Sequence, residues 1–304
     1  MTQQLRGLLA LLLVTLVWGT TFPAMKDMNA YFSPVWIIFM RFLLASIVLL
    51  PFLWRGKRRD IMAGAVLGVL LFFCYLMQVE GLALTTSNRN AFIVGLNVLV
   101  VPLLGIAVGA WPERRIVLAL GLAIAGLVAL CWDGAGWGRG DTLALGCAIG
   151  FGLYIRMLSS HTQKASRLMT LTAAQILTVA ICAALWLLAR EVPRSEIDAG
   201  QDFANYWSYI KAGIGQYIFS IAYLGLVATA AIISLQSWGQ ARTSANEAAV
   251  IYAFEPAAAA FFAYFWLHET MTARAWLGAV LLIGGMIISQ WNAASRPAAA
   301  LAPE

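Results

Sequence analysis

The chain has 304 residues, 62% hydrophobic and 11% charged, with a formal net charge of +6 and a mean hydropathy of +0.80. A soluble domain carries about a quarter charged residues, so this composition excludes a soluble protein and leaves little chain for a soluble appendage. The basic residues sit in short clusters between apolar runs, where membrane topology explains them, so the charge is not a nucleic-acid signature.

Ten apolar runs read as membrane spans, with limits 6–25, 34–54, 61–84, 88–110, 114–132, 141–160, 168–189, 214–238, 244–267 and 273–291. A helix of about 20 residues, rising ~1.5 Å per residue, just crosses a hydrocarbon core of ~30 Å. The first run follows Arg6 as a signal peptide would. No small-x-small cleavage site stands at its end, and further spans follow, so it reads as a retained helix. Span one carries Trp18, and span two carries Arg41 seven residues from its start. Span three carries Phe72, Phe73, Tyr75, Gln78 and Glu80, with Tyr75 and Gln78 at i, i+3 on one helix face. Span four carries Asn97, span six Tyr154 and span seven Gln175. A polar stretch from Arg190 to Lys211 follows, with four acids, Glu191, Glu196, Asp198 and Asp202. Span eight carries Gln236 and Trp238; span nine carries Tyr252 and, near its middle, Glu255-Pro256. An acid at that depth costs roughly 2.5 kcal/mol or more, so it is placed for a reason. Pro256 removes a backbone donor from the turn before it.

With the N-terminus inside, the inner segments hold 12 Lys/Arg and the outer ones seven, a bias that places both termini in the cytoplasm. A shift of 157 positions superposes Leu67-Gly68 on Leu224-Gly225, Thr86-Ser87 on Thr243-Ser244 and Leu120-Gly121 on Leu277-Gly278. Gly19 falls on Gly152 at a shift of 133, and the Arg190–Lys211 stretch supplies the 24-residue difference. The expected organisation is therefore an all-α integral membrane protein of two five-helix repeats. The first covers 1–132, an external linker 133–140, the second 141–291 with a polar insertion at about 190–212, and a cytoplasmic tail 292–304. Five is an odd number of crossings, so the second copy enters from the opposite side, as in secondary transporters that bind substrate at the midplane. Gly64-x-x-x-Gly68, Gly105-x-x-x-Gly109 and Gly146-x-x-x-Gly150 read as helix-packing motifs. The alternating glycines of the 133–141 linker follow no strand and read as a turn, not a phosphate loop.

Several motifs carry a resemblance. Trp18-Gly19-Thr20-Thr21-Phe22 with Lys26, Arg41-Phe42-Leu43-Leu44-Ala45, and Glu255-Pro256 with Glu269 and Gly278 to Gly285 resemble the first-, second- and ninth-to-tenth-helix signatures of the EamA-type transporters of the drug/metabolite transporter superfamily. The first half departs from that pattern, since span four has Pro102 after Val101 and no Glu-Pro. Within the superfamily the chain is similar to bacterial aromatic amino-acid exporters. The resemblance implies ten helices, both termini inside, and export of aromatic and other neutral amino acids across the inner membrane.

An amino-acid substrate needs polar partners or helix ends for its ammonium and carboxylate, and an apolar or aromatic wall for its side chain. The candidate binding residues are Trp18, Phe72, Tyr75, Gln78, Asn97, Tyr154, Gln175, Gln236, Trp238 and Tyr252; each aromatic alone reads more readily as packing or interface belt than as a binding residue. Arg41, Glu80, Glu255 and Pro256 are structural or coupling candidates. Arg41 and Glu80 lie at similar depth, so they either pair or snorkel separately; Glu255 either caps the Pro256 break or carries a coupled proton. Cys74, Cys131, Cys147 and Cys182 lie in apolar runs without C-x-x-C, and His161 and His268 lack partners at metal spacing, so neither a disulfide framework, a metal nor a cofactor is expected. An enzyme is disfavoured by the absence of clustered His or Asp motifs, and a channel by the absence of a filter segment. The expected protein is thus a monomeric small-molecule exporter; the alternative substrates are drugs, organic cations or other metabolites.

Overall fold

The computed structural model describes residues 3–54, 56–85, 87–109, 111–131, 136–191, 196–266 and 272–290, and every element among them is helical. Glu269, His268, part of the 133–140 linker and the 292–304 tail lie outside the described residues. The first half holds α1 (Gln3–Asn29), α2 (Pro34–Leu49) with a 3-10 extension Leu50–Leu53, α3 (Arg58–Leu84), α4 (Ser87–Gly95), α5 (Asn97–Ala107) and α6 (Arg114–Cys131). The second holds α7 (Arg139–Lys164), α8 (Leu168–Arg190), α9 (Glu196–Gln216) and α10 (Ile218–Ala222). A π-helical segment Tyr223–Ala231 then leads into α11 (Ile232–Gln240), α12 (Ala245–Tyr252), α13 (Glu255–Trp266) and α14 (Ala273–Gln290).

Among the described residues, seven stretches are long and apolar enough to cross a membrane: Gln3–Asn29, Pro34–Leu53, Arg58–Leu84, Arg89–Ala107, Arg139–Lys164, Leu168–Arg190 and Ile218–Gln240. The other three expected spans contain α6, the α12–α13 pair and α14. Large apolar side chains such as Leu103, Leu118, Leu185 and Ile287 are exposed on the outside, as a lipid-facing surface requires.

Local chemistry sets the helix ends. Ser33 caps α2, its hydroxyl accepting from the Trp36 N–H, and Pro34 stands where no donor is needed. Ser244 and Glu247 form a reciprocal capping box at the start of α12. The buried Asp60 carboxylate accepts from the N–H groups of Ser166 (3.3 Å) and Arg167 (2.9 Å), so α3 closes the start of α8.

The bundle packs α3 against α7 and α8, α2 against α8 and the π segment, α1 against α11 and α13, α4 and α5 against α7, and α6 against α14. Two of the three small-residue motifs serve these contacts. A Cβ at Gly64 or Gly68 would strike the Leu171 and Gln175 carbonyls of α8, and one at Gly146 or Gly150 would strike Met77 and Cys74 of α3. Gly109 instead ends its helix with φ 84°, a conformation that costs glycine little.

Two features differ from the simple reading of the sequence, the break in the fourth span and a helix in the polar stretch, while the break in the ninth falls where Pro256 leads one to expect it. The fourth and ninth expected spans are each two half-helices. The first break falls at Leu96, after α4, and the second at Ala253–Phe254, after α12; Leu96 lands on Ala253 at the shift of 157. Pro256 accounts for the second break; the first has no proline at the break itself, since Pro102 lies inside α5. The polar 190–212 stretch holds most of the helix α9, which packs on the turn between α1 and α2 and the start of α2. There Tyr209 stacks on Tyr31 at 4.2 Å, and the Trp36 indole donates to the Tyr206 hydroxyl at 2.8 Å. Aromatic side chains along that segment give the helix an apolar face to bury, which its acids conceal in a linear reading.

Candidate functional site

Both helix breaks open onto one buried cavity. Backbone interrupted at membrane depth is tolerated only inside protein or beside a cavity, because the freed N–H and C=O groups need partners. The α4–α5 break contributes Val94 and Asn97, and the α12–α13 break contributes Tyr252 and Glu255. From α1 come Trp18, Thr21 and Met25, three residues at helical spacing on one face. Arg41 of α2, Tyr75 and Gln78 of α3, Phe151 and Ile155 of α7, and Gln236 of α11 complete the wall. The described lining thus includes one permanent cation and one carboxylic acid, surrounded by aromatic rings and amides.

The rings form two groups. Trp18 and Tyr252 lie 5.7 Å apart, Tyr75 and Phe42 5.2 Å, and Tyr75 and Phe151 5.8 Å at 87°, the edge-to-face geometry aromatic quadrupoles favour. Between the rings stand polar atoms without protein partners: Trp18 Nε1, Gln78 Oε1 and Asn97 Oδ1 are buried and make no hydrogen bond. The Tyr252 hydroxyl has the Gln236 amide as its polar neighbour, but in poor hydrogen-bond geometry. Buried donors and acceptors left unpaired cost roughly 1–3 kcal/mol each. Several of them converging on one cavity mark a place built for a polar guest.

In this conformation the cavity holds only about 30 Å³, room for about two waters. A guest larger than that requires the surrounding helices to part. Polar clusters close both ends of the bundle. At one end Glu247 accepts from Arg115 Nη2 (3.1 Å) and Gln4 Nε2 (3.2 Å), tying the starts of α12, α6 and α1 together. At the other, Arg89 of α4 holds Asp141 of α7 with two bonds, Nε to Oδ1 at 2.6 Å and Nη2 to Oδ2 at 3.0 Å. The ends are opposite: Gln240, at the end of α11 nearest Gly7 of α1, reaches the Ile155 carbonyl, several turns along α7 from Asp141. A larger depression, about 670 Å³, lies at the Pro51–Trp54 end of α2 beside Arg167 to Thr170. It is open and almost wholly apolar, with Trp54 91% exposed, and gathers no set of polar groups for a solute.

Eight of the fourteen residues singled out in the sequence therefore line the cavity: Trp18, Arg41, Tyr75, Gln78, Asn97, Gln236, Tyr252 and Glu255. The other six stand elsewhere. The Tyr154 hydroxyl donates to Gln175 Oε1 at 3.0 Å, and Gln175 Nε2 reaches Ser237 Oγ at 3.4 Å, a buried chain joining α7, α8 and α11. Phe72 packs on Phe73 and Trp186, and Trp238 lies under the Arg242 guanidinium at 3.9 Å. Pro256 is buried in the first turn of α13. Glu80 makes no pair with Arg41, whose Nε donates to Thr229 Oγ1 at 2.9 Å and whose Nη1 points to Met25 Sδ at 3.4 Å. Thr21, Met25, Val94, Phe151 and Ile155 line the cavity without having been singled out. Spacing from Trp18 would have found the first two; nothing in the sequence separates the other three from packing residues.

Comparison with known proteins gives three likenesses. The pattern of the EamA-like transporter family matches residues 5–132 and again 138–290. An uncharacterized transporter of Archaeoglobus fulgidus is 30% identical over 281 residues, covering 92% of this chain and 84% of that one. The crystal structure of a further protein, 16% identical, superposes with a TM-score of 0.72 over 95% of this chain and 99% of the other, a likeness of fold alone.

Proposed function

This chain belongs to the EamA-like transporter family, and from that premise we propose that it exports neutral amino acids, aromatic ones among them, by alternating access across the inner membrane. Membrane transport of a small molecule follows from the family. The amino-acid reading is carried by one observation: a single buried cavity, between two broken helices, holds an arginine, a carboxylic acid, unpaired amides and an aromatic wall together. These are the groups a zwitterion with an apolar side chain needs.

The architecture proposed is ten spans in two inverted repeats, 1–132 and 141–291, in a monomer with both termini cytoplasmic. Two observations support it. The breaks at Leu96 and Ala253 correspond at one shift. Exchanging the halves turns the packing of α1 on α11 and α13 into that of α7 on α3 and on α4–α5, turns α2 on the π segment into α8 on α3, and leaves the α6–α14 pair in place. The two polar clusters then act as inner and outer latches, both closed here around a contracted site.

A second reading, export of organic cations, has Glu255 among the Trp18, Tyr75 and Tyr252 rings in its favour. Arg41 in the same cavity opposes it by charge. Counterflow in proteoliposomes decides between them, with labelled phenylalanine, leucine, alanine and glutamate beside one organic cation. Exchange of the neutral amino acids with little exchange of the cation is expected. Exchange of the cation alone would replace the first reading by the second.

A further inference from the structure

Arg41 is 2% exposed, inside the bundle, and its contacts among the described residues are uncharged. They are the Thr229 hydroxyl and Met25 thioether, the faces of Phe42 (5.4 Å) and Tyr75 (5.0 Å), and the nearby Tyr75 and Tyr223 hydroxyls. Guanidinium stays charged at any accessible pH, and a buried charge without a counter-charge is strongly destabilising. The obvious counter-ion, Glu255, lines the same cavity but forms no ion pair with it; Tyr75 stands within electrostatic reach of both. A guanidinium and a carboxylic acid in one cavity, not paired with each other, fit a ligand that carries both a carboxylate and an ammonium. The guanidinium is also held in place from behind. Its partner Thr229 lies in the π-helical Tyr223–Ala231 segment and donates its hydroxyl proton to the Leu224 carbonyl at 2.7 Å, the i, i−5 carbonyl. Nε is thereby anchored to a neutral acceptor, and Nη1 meets only the Met25 thioether, a weak acceptor in the cavity wall.

Building on the amino-acid reading above, we propose that Arg41 is the carboxylate subsite of this transporter. The guanidinium takes the substrate's α-carboxylate, Glu255 at the α12–α13 break takes its ammonium, and the Trp18 and Tyr252 rings receive the side chain. Arg41 then determines specificity, admitting free amino acids and rejecting amines and amides that share their side chain.

The test needs no substitution at first. Thermal stabilisation of the purified full-length protein in nanodiscs, and competition against counterflow, are measured with phenylalanine, phenylalaninamide and phenethylamine. Loss of a charge-assisted bond to the carboxylate weakens binding about 10- to 100-fold, so phenylalanine should bind that much more tightly than the other two. Arg41→Gln should erase the difference by weakening phenylalanine alone, and Arg41→Lys, which keeps the charge but not the fork, should restore part of it. Equal binding of the three ligands to the unaltered protein, or full discrimination kept in Arg41→Gln, would overturn the proposal and leave Arg41 as a clamp on the π segment. The amino-acid reading fails separately: then phenethylamine binds and phenylalanine does not.

Discussion

Trp18 and Trp238 look alike in the sequence, two indoles inside apolar runs next to small or polar residues, yet their surroundings differ. Trp18 faces Tyr252 across the cavity with its Nε1 unpaired, whereas Trp238 lies under Arg242 away from the cavity. Trp18→Leu should therefore weaken transport of phenylalanine and tryptophan more than that of alanine. One aromatic stacking contact contributes about 0.5–1.5 kcal/mol, so the selectivity loss should be about 2- to 12-fold. Trp238→Leu removes only a cation–π contact of about 0.5–1 kcal/mol and should leave the phenylalanine-to-alanine ratio unchanged. Concentration-dependent counterflow measures both ratios. A shift in the ratio for Trp238→Leu, or none for Trp18→Leu, would contradict the placement of the substrate side chain. Gln78 and Gln175 divide in the same way. Both are buried amides, but Gln175 is bonded at both ends to Tyr154 and Ser237, while the Gln78 carbonyl oxygen has no partner.

Among the elements, α12 joins the site to the end of the bundle. Its first turn holds Glu247, and one carboxylate there closes the capping box with Ser244 and binds Arg115 and Gln4. Its last residue, Tyr252, lines the cavity. In the proposed mechanism this short helix, fixed at one end by the latch and at the other by the guest, couples the two. Asp141 does the equivalent for α7, where its carboxylate also accepts from the Gly138 N–H at 2.7 Å. Glu247→Gln should favour opening at the α1–α12 end, and Asp141→Asn opening at the other. A shift of 1–2 kcal/mol changes a conformational ratio by about 5- to 30-fold. The reporter is a cysteine at the cavity residue Thr21 in a background without native cysteines, labelled by an impermeant maleimide from either side. Each variant should raise labelling from its own side. Equal increases from both sides in either variant would mean general loosening, and the latches would not be separate gates.

At the scale of the whole molecule the open question is handedness in the membrane. In the orientation proposed from the surplus of basic residues in the segments that also carry Arg6, Arg114–Arg115 and Arg242, the Glu247 latch is cytoplasmic and the Arg89–Asp141 latch external. A reporter fused after Glu304 should read as cytoplasmic, and one inserted within 196–201 as external. The reverse pair of signals would exchange the two latches and turn the proposed exporter round. Substrate entry from the cytoplasm would then require Arg89 to release Asp141 first, so the same measurement orders the gating steps.

The sequence by itself determined that this is a helical membrane protein, that Glu255 and Arg41 lie inside it, and that residues of spans three to five recur in spans eight to ten at a shift of 157. All three follow from local quantities: run length, the cost of charge in an apolar run, and residue identity at fixed separation. It did not separate lining from packing. Tyr154, Gln175 and Phe72 carry the same local signal as Tyr75 and Gln78, and which of them meets a neighbour or an empty space depends on helices far away in the chain. The break at Leu96 was likewise hidden, because no proline marks it and the α4–α5 join lies against α7 rather than being written in its own residues. Only the tertiary packing brought both breaks, one cation and one acid to a single small cavity, since cavities are set by the mismatch of distant surfaces.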